Sequence, residues 1–323
     1  SVLIMETELW PGFLRECRVR QIPVAVVNGR LSRQSFRRYT WIKGFLSRVL
    51  QSLSLAIMQT EDDASRIRKL GMKPSKTFVS GSLKFDAGTI PLPPSVADEF
   101  RERFNLAGNS PLILAASTHP PEETIMLEVL KRLRVNSNNQ CRLLLAPRHP
   151  ERFADVAALL KASGLSWTRR SNPADSADGN CDIILLDTIG ELQAVYPLAD
   201  VVFVGGSVAK TGGHNVLEPA AVGAAIVTGA HTFNFDAIVK SLVKDRALIQ
   251  LRQMSAEETT SEIVRVFKDL LSDEEGRRDL GRRARELVER NLGATERTLD
   301  LLDSILKPSS GVSPQSQTER GGY

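Results

Sequence analysis

Short apolar runs alternate with amphipathic segments along most of this chain. Val2–Met5, Pro23–Val27, Leu55–Met58 and Thr77–Val79 each read as a strand. Between them Pro11–Arg20, Ser32–Leu53 and Glu61–Leu70 read as helices, the first with proline at its start. The pattern pauses at DAGTIPLPPS, Asp86–Ser95, which is rich in proline and lacks periodicity, and so reads as a linker. It then resumes with strands at Leu112–Ala115, Arg142–Leu145, Asp182–Leu186, Val201–Val204 and Ala225–Val227, again with helical segments between. Apolar strands alternating with helices predict an α/β protein of βαβ units with parallel, doubly wound sheets. The linker divides it into a first domain, 1–85, and a second, 96–307. Ser171–Asn180 reads as a surface loop, and 308–323, which has no core-forming pattern, as a disordered tail. An apolar strand begins directly after Ser1, so the first domain is expected to be incomplete, its upstream part lying before this sequence.

The most informative stretch is VVFVGGSVAKTGGHNVLEPAA, Val201–Ala221. A strand ends in a loop holding Gly205, Gly206, Gly212 and Gly213, and the loop opens at Asn215 onto a helical segment. Unpaired amides and a helix N-terminus together attract an anion. Glu218, one turn on, repels phosphate but accepts hydrogen bonds from sugar hydroxyls, so the pair of features points to a nucleotide or nucleotide-sugar. The plainer alternative is a glycine-rich loop with Glu218 as an acidic residue in the first helical turn.

In a doubly wound sheet ligands bind beyond the carboxyl ends of the strands. Ser117-Thr118-His119, Pro147-Arg148-His149, Asp187–Glu191, His214-Asn215 and His231–Asn234 all follow strands, and these segments contain all four histidines of the chain. That sorting marks a polar working cleft, although each histidine alone also suits a loop or a helix cap. Arg148 can grip a phosphate through two parallel bonds. The histidines form no HxxxH or HxH pair and no cysteine lies close to them, which argues against zinc. No GxSxG elbow follows a strand, which argues against a serine hydrolase. In the first half Glu6 and Glu8 follow one strand and Lys84 another. Carboxylate and ammonium there can orient substrate or neutralise transition-state charge, or simply cap a helix and face solvent. Arg30, Arg33, Arg37, Arg38 and Lys43 form a basic stretch interleaved with Tyr39 and Trp41. It suits an anionic lipid headgroup, a phosphorylated acceptor, or a solvated face.

Composition narrows the class further. The chain has 323 residues, 42% hydrophobic and 25% charged, which is ordinary for a globular protein of two domains. A net charge of +4 is too mild to argue for nucleic acid. Three scattered cysteines without a CxxC fit a reducing compartment, and neither a membrane-spanning run nor a signal peptide stands in the sequence.

METELWP, NGRLS, GSLKFD, PRHPERF, the GE of DTIGEL, FVGGS, GGHNVLEPA and HTFNF, in this order from residue 1 to about 300, closely resemble the 3-deoxy-D-manno-octulosonic acid (Kdo) transferases. The resemblance implies a GT-B architecture of two Rossmann-like domains and an inverting glycosyl transfer without metal or other cofactor. The implied donor is CMP-Kdo and the implied acceptor a lipid A precursor (lipid IVA), at the cytoplasmic face of the bacterial inner membrane. It implies CMP contacts at Pro147 and Arg148, at Ile189, Gly190 and Glu191, and at Asn215, Val216, Leu217 and Glu218, with transition-state stabilisation by Glu6 and Lys84. The family usually has proline after the asparagine, where this chain has Val216. Its catalytic glutamate base and membrane anchor precede METELWP, so this sequence is expected to hold the donor-binding part with incomplete catalytic equipment. Two other classes fit the same residues: another sugar-nucleotide enzyme, such as an epimerase or UDP-sugar transferase, and a non-catalytic nucleotide-binding protein.

Overall fold

A parallel sheet has two faces to bury, and helices must cover both. The computed structural model describes residues 1–87, 94–106, 110–135 and 140–306. It divides into one unit made of residues 1–86 and the segment from Asn291, and another of residues 87–290. In the first unit β1 (Val2–Met5), β2 (Val24–Gly29), β3 (Leu55–Met58) and β4 (Thr77–Val79) pair in parallel in the order β1-β2-β3-β4. Ile4, Val24, Val26, Ala56 and Met58 pack with Leu14, Leu46, Leu50 and Ile67 from the helices Pro11–Val19, Lys43–Leu50 and Glu61–Lys69. Ala25, Val27, Leu55 and Ile57 form a second buried cluster, completed by Leu302 of the helix Ala294–Leu306.

That last helix corrects the expected extent of the second domain, which was to run to 307. From Asn291 the chain belongs to the first unit. Its attachment is specific. The Asp86 carboxylate accepts from the amides of Gly293 at 2.8 Å and Thr295 at 2.6 Å, which puts negative charge at the helix N-terminus. Thr298 donates its hydroxyl to Ser80 Oγ at 2.9 Å, and Arg297 Nε donates to the Ser80 carbonyl at 2.9 Å. The expected linker lies mostly outside the described residues, in 88–93, and the expected disordered tail lies wholly outside them.

A second difference concerns the long helix expected over Ser32–Leu53. Two helices stand there, Arg33–Thr40 and Lys43–Leu50, broken at Trp41 and Ile42. The first buries no residue fully, and Trp41 is 91% exposed, so the core holds only the second of them firmly.

The second unit is one seven-stranded parallel sheet. Its strands are β5 (Leu112–Thr118), β6 (Arg142–Pro147), β7 (Trp167–Arg169), β8 (Ile183–Leu185), β9 (Val201–Val204), β10 (Ile226–Thr228) and β11 (Ile249–Gln250), in the order β11-β10-β9-β5-β6-β8-β7. From β5 the chain winds outward through β6 to the edge strand β7, steps back to insert β8 between them, then crosses to lay β9, β10 and β11 on the other side. The direction of winding therefore reverses between β5 and β9, and the crevice of a doubly wound sheet opens at such a reversal. β7 and β11 were not expected. Both are edge strands of three and two residues with half-buried side chains, so neither shows an apolar run.

Replacing Leu302 by alanine should leave a hole in the cluster beneath β2 and β3 and destabilise the first unit by about 2–4 kcal/mol. Urea unfolding followed by tryptophan fluorescence measures it. An unchanged midpoint would show that the helix does not hold this face of the sheet.

Candidate functional site

The glycine loop is not an empty anion trap. Glu122, fully buried at the start of the helix Glu122–Val135, fills it with a carboxylate. One oxygen accepts from the amides of Ser207 at 2.9 Å, Val208 at 2.9 Å and Ala209 at 3.2 Å, and the other from Gly206 at 2.8 Å and His119 at 2.9 Å. Burial raises the Glu122 pKa on balance, against the pull of the Gly206, Val208, His119 and Ala209 amides. All five partners are donors, so the charged form is the one the surroundings fit. The expectation that these amides wait for a ligand's phosphate is therefore corrected: the fold supplies its own anion. A side chain at Gly205 would collide with Glu122 Oε2 at 2.7 Å and the Ser117 carbonyl at 2.6 Å. Gly206 adopts φ 67°, and a side chain there would strike His214.

Beyond this lock the loop presents His214 and Asn215. His214 Nε2 lies 2.8 Å from His119 Nε2, across the reversal point between β5 and β9. Burial, the neighbouring His119 and the charge of Arg148 push the His214 pKa down to about 4. Burial and His149 lower that of His119. The helix after the loop is short, Leu217–Ala221, and starts later than expected. Asn215 Oδ1 accepts from the Leu217 amide at 3.0 Å, and Asn215 Nδ2 donates to Glu218 Oε1 at 2.9 Å. The buried Tyr196 hydroxyl also bonds Glu218, and its pKa is raised by burial and by that carboxylate. Glu218 is thus held in place while still partly exposed. Val216 and Leu217, both named as contacts, bury their side chains completely. Neither side chain is available to a ligand, and the Leu217 amide is already bonded to Asn215.

Pro147 is buried at the end of β6, and the next residue, Arg148, is exposed with its amide bonded to the Thr118 carbonyl at 3.1 Å. Among the described residues Arg148 makes no ion pair. After β8, Ile189 is 81% exposed and Gly190 takes φ 90°. Glu191 turns inward instead. It accepts two bonds from Arg170, at 3.1 and 2.7 Å, and a short one from the Thr188 hydroxyl. Burial opposes its ionisation, but Arg170 and Thr188 outweigh burial and lower its pKa. The three segments expected to contact the donor thus stand at the ends of β6, β8 and β9, along one carboxyl edge.

In the first unit Glu6 and Lys84 follow the two outer strands of the sheet. Parallel strands stand ~4.8 Å apart, so β1 and β4 are separated by about 14 Å. Glu6 is exposed in a left-handed backbone conformation, φ 57°, and Lys84 opens the short helix Lys84–Ala87. Arg30 is half-buried beside β2, whereas Arg33, Arg37, Arg38 and Lys43 are exposed around Trp41 and Ile42. Among the described residues no three His, Cys, Asp or Glu side chains come together as a metal site, and no helix is long and apolar enough to cross a membrane. Glu122 is the residue that sequence reasoning missed. Its one signal was a carboxylate in the first turn of the helix that follows β5.

Residues 1–87 match the family described as 3-deoxy-D-manno-octulosonic-acid transferase (kdotransferase). The chain is 37% identical over 305 residues to the 3-deoxy-D-manno-octulosonic acid transferase of Haemophilus influenzae, covering 94% of this chain and 69% of that protein. It is 35% identical over 308 residues to the enzyme of that name from Bordetella pertussis, with the same coverage of each. Among solved structures it is similar to the C-terminal CMP-Kdo binding domain of WaaA from Acinetobacter baumannii. There the identity is 32% and the TM-score 0.54, over 61% of this chain and 98% of that one.

Glu191 generates a pH prediction. Its pKa is lower folded than unfolded, so its contribution to stability is present above the ordinary glutamate value near 4.5 and is lost as pH falls through the lowered folded value. Denaturant midpoints measured from pH 6 to pH 3 should fall less steeply for Glu191→Gln than for the wild type. Parallel curves would mean that the Arg170 pair carries no linkage.

Proposed function

The chain belongs to the 3-deoxy-D-manno-octulosonic acid transferase family, and we propose that it serves transfer of Kdo from CMP-Kdo to a lipid A precursor at an anionic membrane surface. One observation carries the donor half of this reading. Pro147-Arg148, Ile189–Glu191 and Asn215–Glu218, scattered over 72 residues of sequence, follow β6, β8 and β9 at one edge of a sheet, in a unit similar to a solved CMP-Kdo binding domain. In this reading Arg148 grips the phosphate, the fixed carboxylate of Glu218 accepts from the ribose hydroxyls, and the exposed Ile189 offers an apolar surface to the base. The departing CMP carries the charge that builds up as the anomeric bond breaks. Arg148 stabilises it with fixed positive charge where other enzymes use a divalent ion, and within the first unit Glu6 and Lys84 take the transition-state-stabilising roles that the family resemblance implies. Transfer also requires a base to take the proton of the attacking hydroxyl. We assign that role to no carboxylate of this chain.

The acceptor half rests on the first unit. Arg33, Arg37, Arg38 and Lys43, all exposed, lie in the same stretch of sequence as Trp41, Ile42 and Phe45, which are 91%, 49% and 56% exposed. Cations interleaved with exposed aromatic and aliphatic groups suit the headgroup layer of an anionic bilayer.

Two measurements test these halves. CMP should raise the melting temperature of the purified chain, with linkage worth about 2.7 kcal/mol at a hundredfold excess over Kd. The shift should survive EDTA and vanish in Glu218→Ala. Equal stabilisation by UMP would overturn the cytidine assignment, and a shift that disappears in chelator and returns with Mg²⁺ would overturn the metal-free scheme. Separately, the chain should float with phosphatidylglycerol vesicles at low salt, and the Trp41→Ala/Arg37→Glu/Arg38→Glu variant should lose most of that binding. Flotation indifferent to these changes would place the membrane contact elsewhere.

A further inference from the structure

Three of the four histidines touch one another. His119 and His214 are joined Nε2 to Nε2 at 2.8 Å with rings only 4° from coplanar, and His149 stands edge-on to His119 with centroids 5.1 Å apart. In such a bond one ring gives an N–H and the other a lone pair, so the two neutral rings hold opposite tautomers. The ring that donates through Nε2 then has a bare Nδ1. The pair can accept a proton at that atom without breaking the bond between the rings.

The surroundings keep the pair neutral in the absence of a ligand. His119 is faced by His149, Glu123, Arg152 and Arg148, and His214 by His119, Arg148 and His149. Glu123 is committed to Arg152 at 2.5 Å, and the nearby Glu122 carboxylate is taken up by five backbone amides, the His119 amide among them. Arg148 and Arg152 therefore set the field at the rings, and burial adds to it. An arriving dianion would reverse that balance. It must find its partners here, because the loop amides that would otherwise receive it are held by Glu122.

We propose that the His119–His214 pair, together with Arg148, receives the phosphate of the bound nucleotide, and that the pair takes up one proton from solvent as the phosphate arrives. The proton moves from buffer acid to imidazole on binding and returns when the nucleotide leaves, so none is consumed. The inference rests on the donor-site reading above. It adds a switchable cation beside the permanent one at Arg148.

Calorimetric titration of the whole chain with CMP, at pH 6.5 in buffers of different ionisation enthalpy, counts the protons. The wild type should take up about half a proton or more beyond His119→Gln and His214→Gln, whose amides keep a hydrogen bond but do not titrate. CMP's own phosphate sheds part of its second proton on meeting cations, and that contribution is common to all three proteins. Wild-type affinity should also weaken by up to about tenfold per pH unit above pH 6.5, and the variants should follow a flatter course. Equal proton counts in wild type and folded variants would overturn the proposal. Should the variants fail to fold, cytidine decides: uptake that is the same with cytidine as with CMP would show that the pair does not answer the phosphate, and overturns it. If the wild type binds no CMP in any buffer, the donor-site reading fails and takes this inference with it. CMP binding without proton linkage sinks the inference alone.

Discussion

The buried carboxylate of Glu122 is the constraint on which the donor edge depends. Five amides from two separate segments converge on it, four from the loop after β9 and one from His119 after β5. A glycine-rich loop of this length has many conformations available in isolation, and fixing each residue costs about 1–2 kcal/mol of backbone entropy. Charge-assisted bonds to a single dehydrated anion offset that cost and choose one conformation. The same contact ties the two strands that flank the reversal point, so the position of His214 relative to His119 follows from it. Asn215 and Glu218 follow in turn, because the chain leaves the loop from a fixed point.

The strand-and-helix alternation was legible because the strands are short continuous apolar runs. β3 and β9, buried at every position, stand where those runs stand, and so do the edge strands β1 and β4 although Leu3, Met5, Phe78 and Val79 are exposed. What escaped notice was whatever depends on partners distant in sequence. Ala294–Leu306 reads as a helix in either domain. Its place is decided by Asp86 and Ser80, more than 200 residues earlier, and by an uncovered sheet face that no local pattern reports. The glycine loop was recognised as an amide nest for the right physical reason, yet its anion stands 84 residues upstream of Gly206. β7 was missed because Trp167–Arg169 pairs only on one side and lacks an apolar run.

The candidate site divides along the same line. That polar residues just beyond strand ends would gather at one edge could be reasoned from sheet topology alone, and the histidines do gather there. Which atoms face outward could not. Val216 and Leu217 give their side chains to the core, and Glu191 gives its carboxylate to Arg170 and Thr188. Of that set Arg148, Ile189 and Glu218 keep side chains at least partly exposed, one cationic, one apolar and one anionic. Those are the chemistries that the proposed donor reading needs for a phosphate, a base and a pair of ribose hydroxyls.

A site that must hold a charged leaving group and then release it faces opposing demands. Permanent cations stabilise the departing phosphate but also retain it, since each charge-assisted bond made on departure must be broken on release. A neutral imidazole pair embedded in positive surroundings eases this conflict. It contributes little while the site is empty, gains a charge only when an anion supplies the compensating field, and loses it as the anion leaves. The pairing of His119 with His214 makes this possible within a small space, because the shared hydrogen bond leaves one ring nitrogen bare and the other protonated. The carboxylate of Glu122, by satisfying the loop amides internally, removes the competing binding mode in which a phosphate would sit on backbone groups that no proton can switch off.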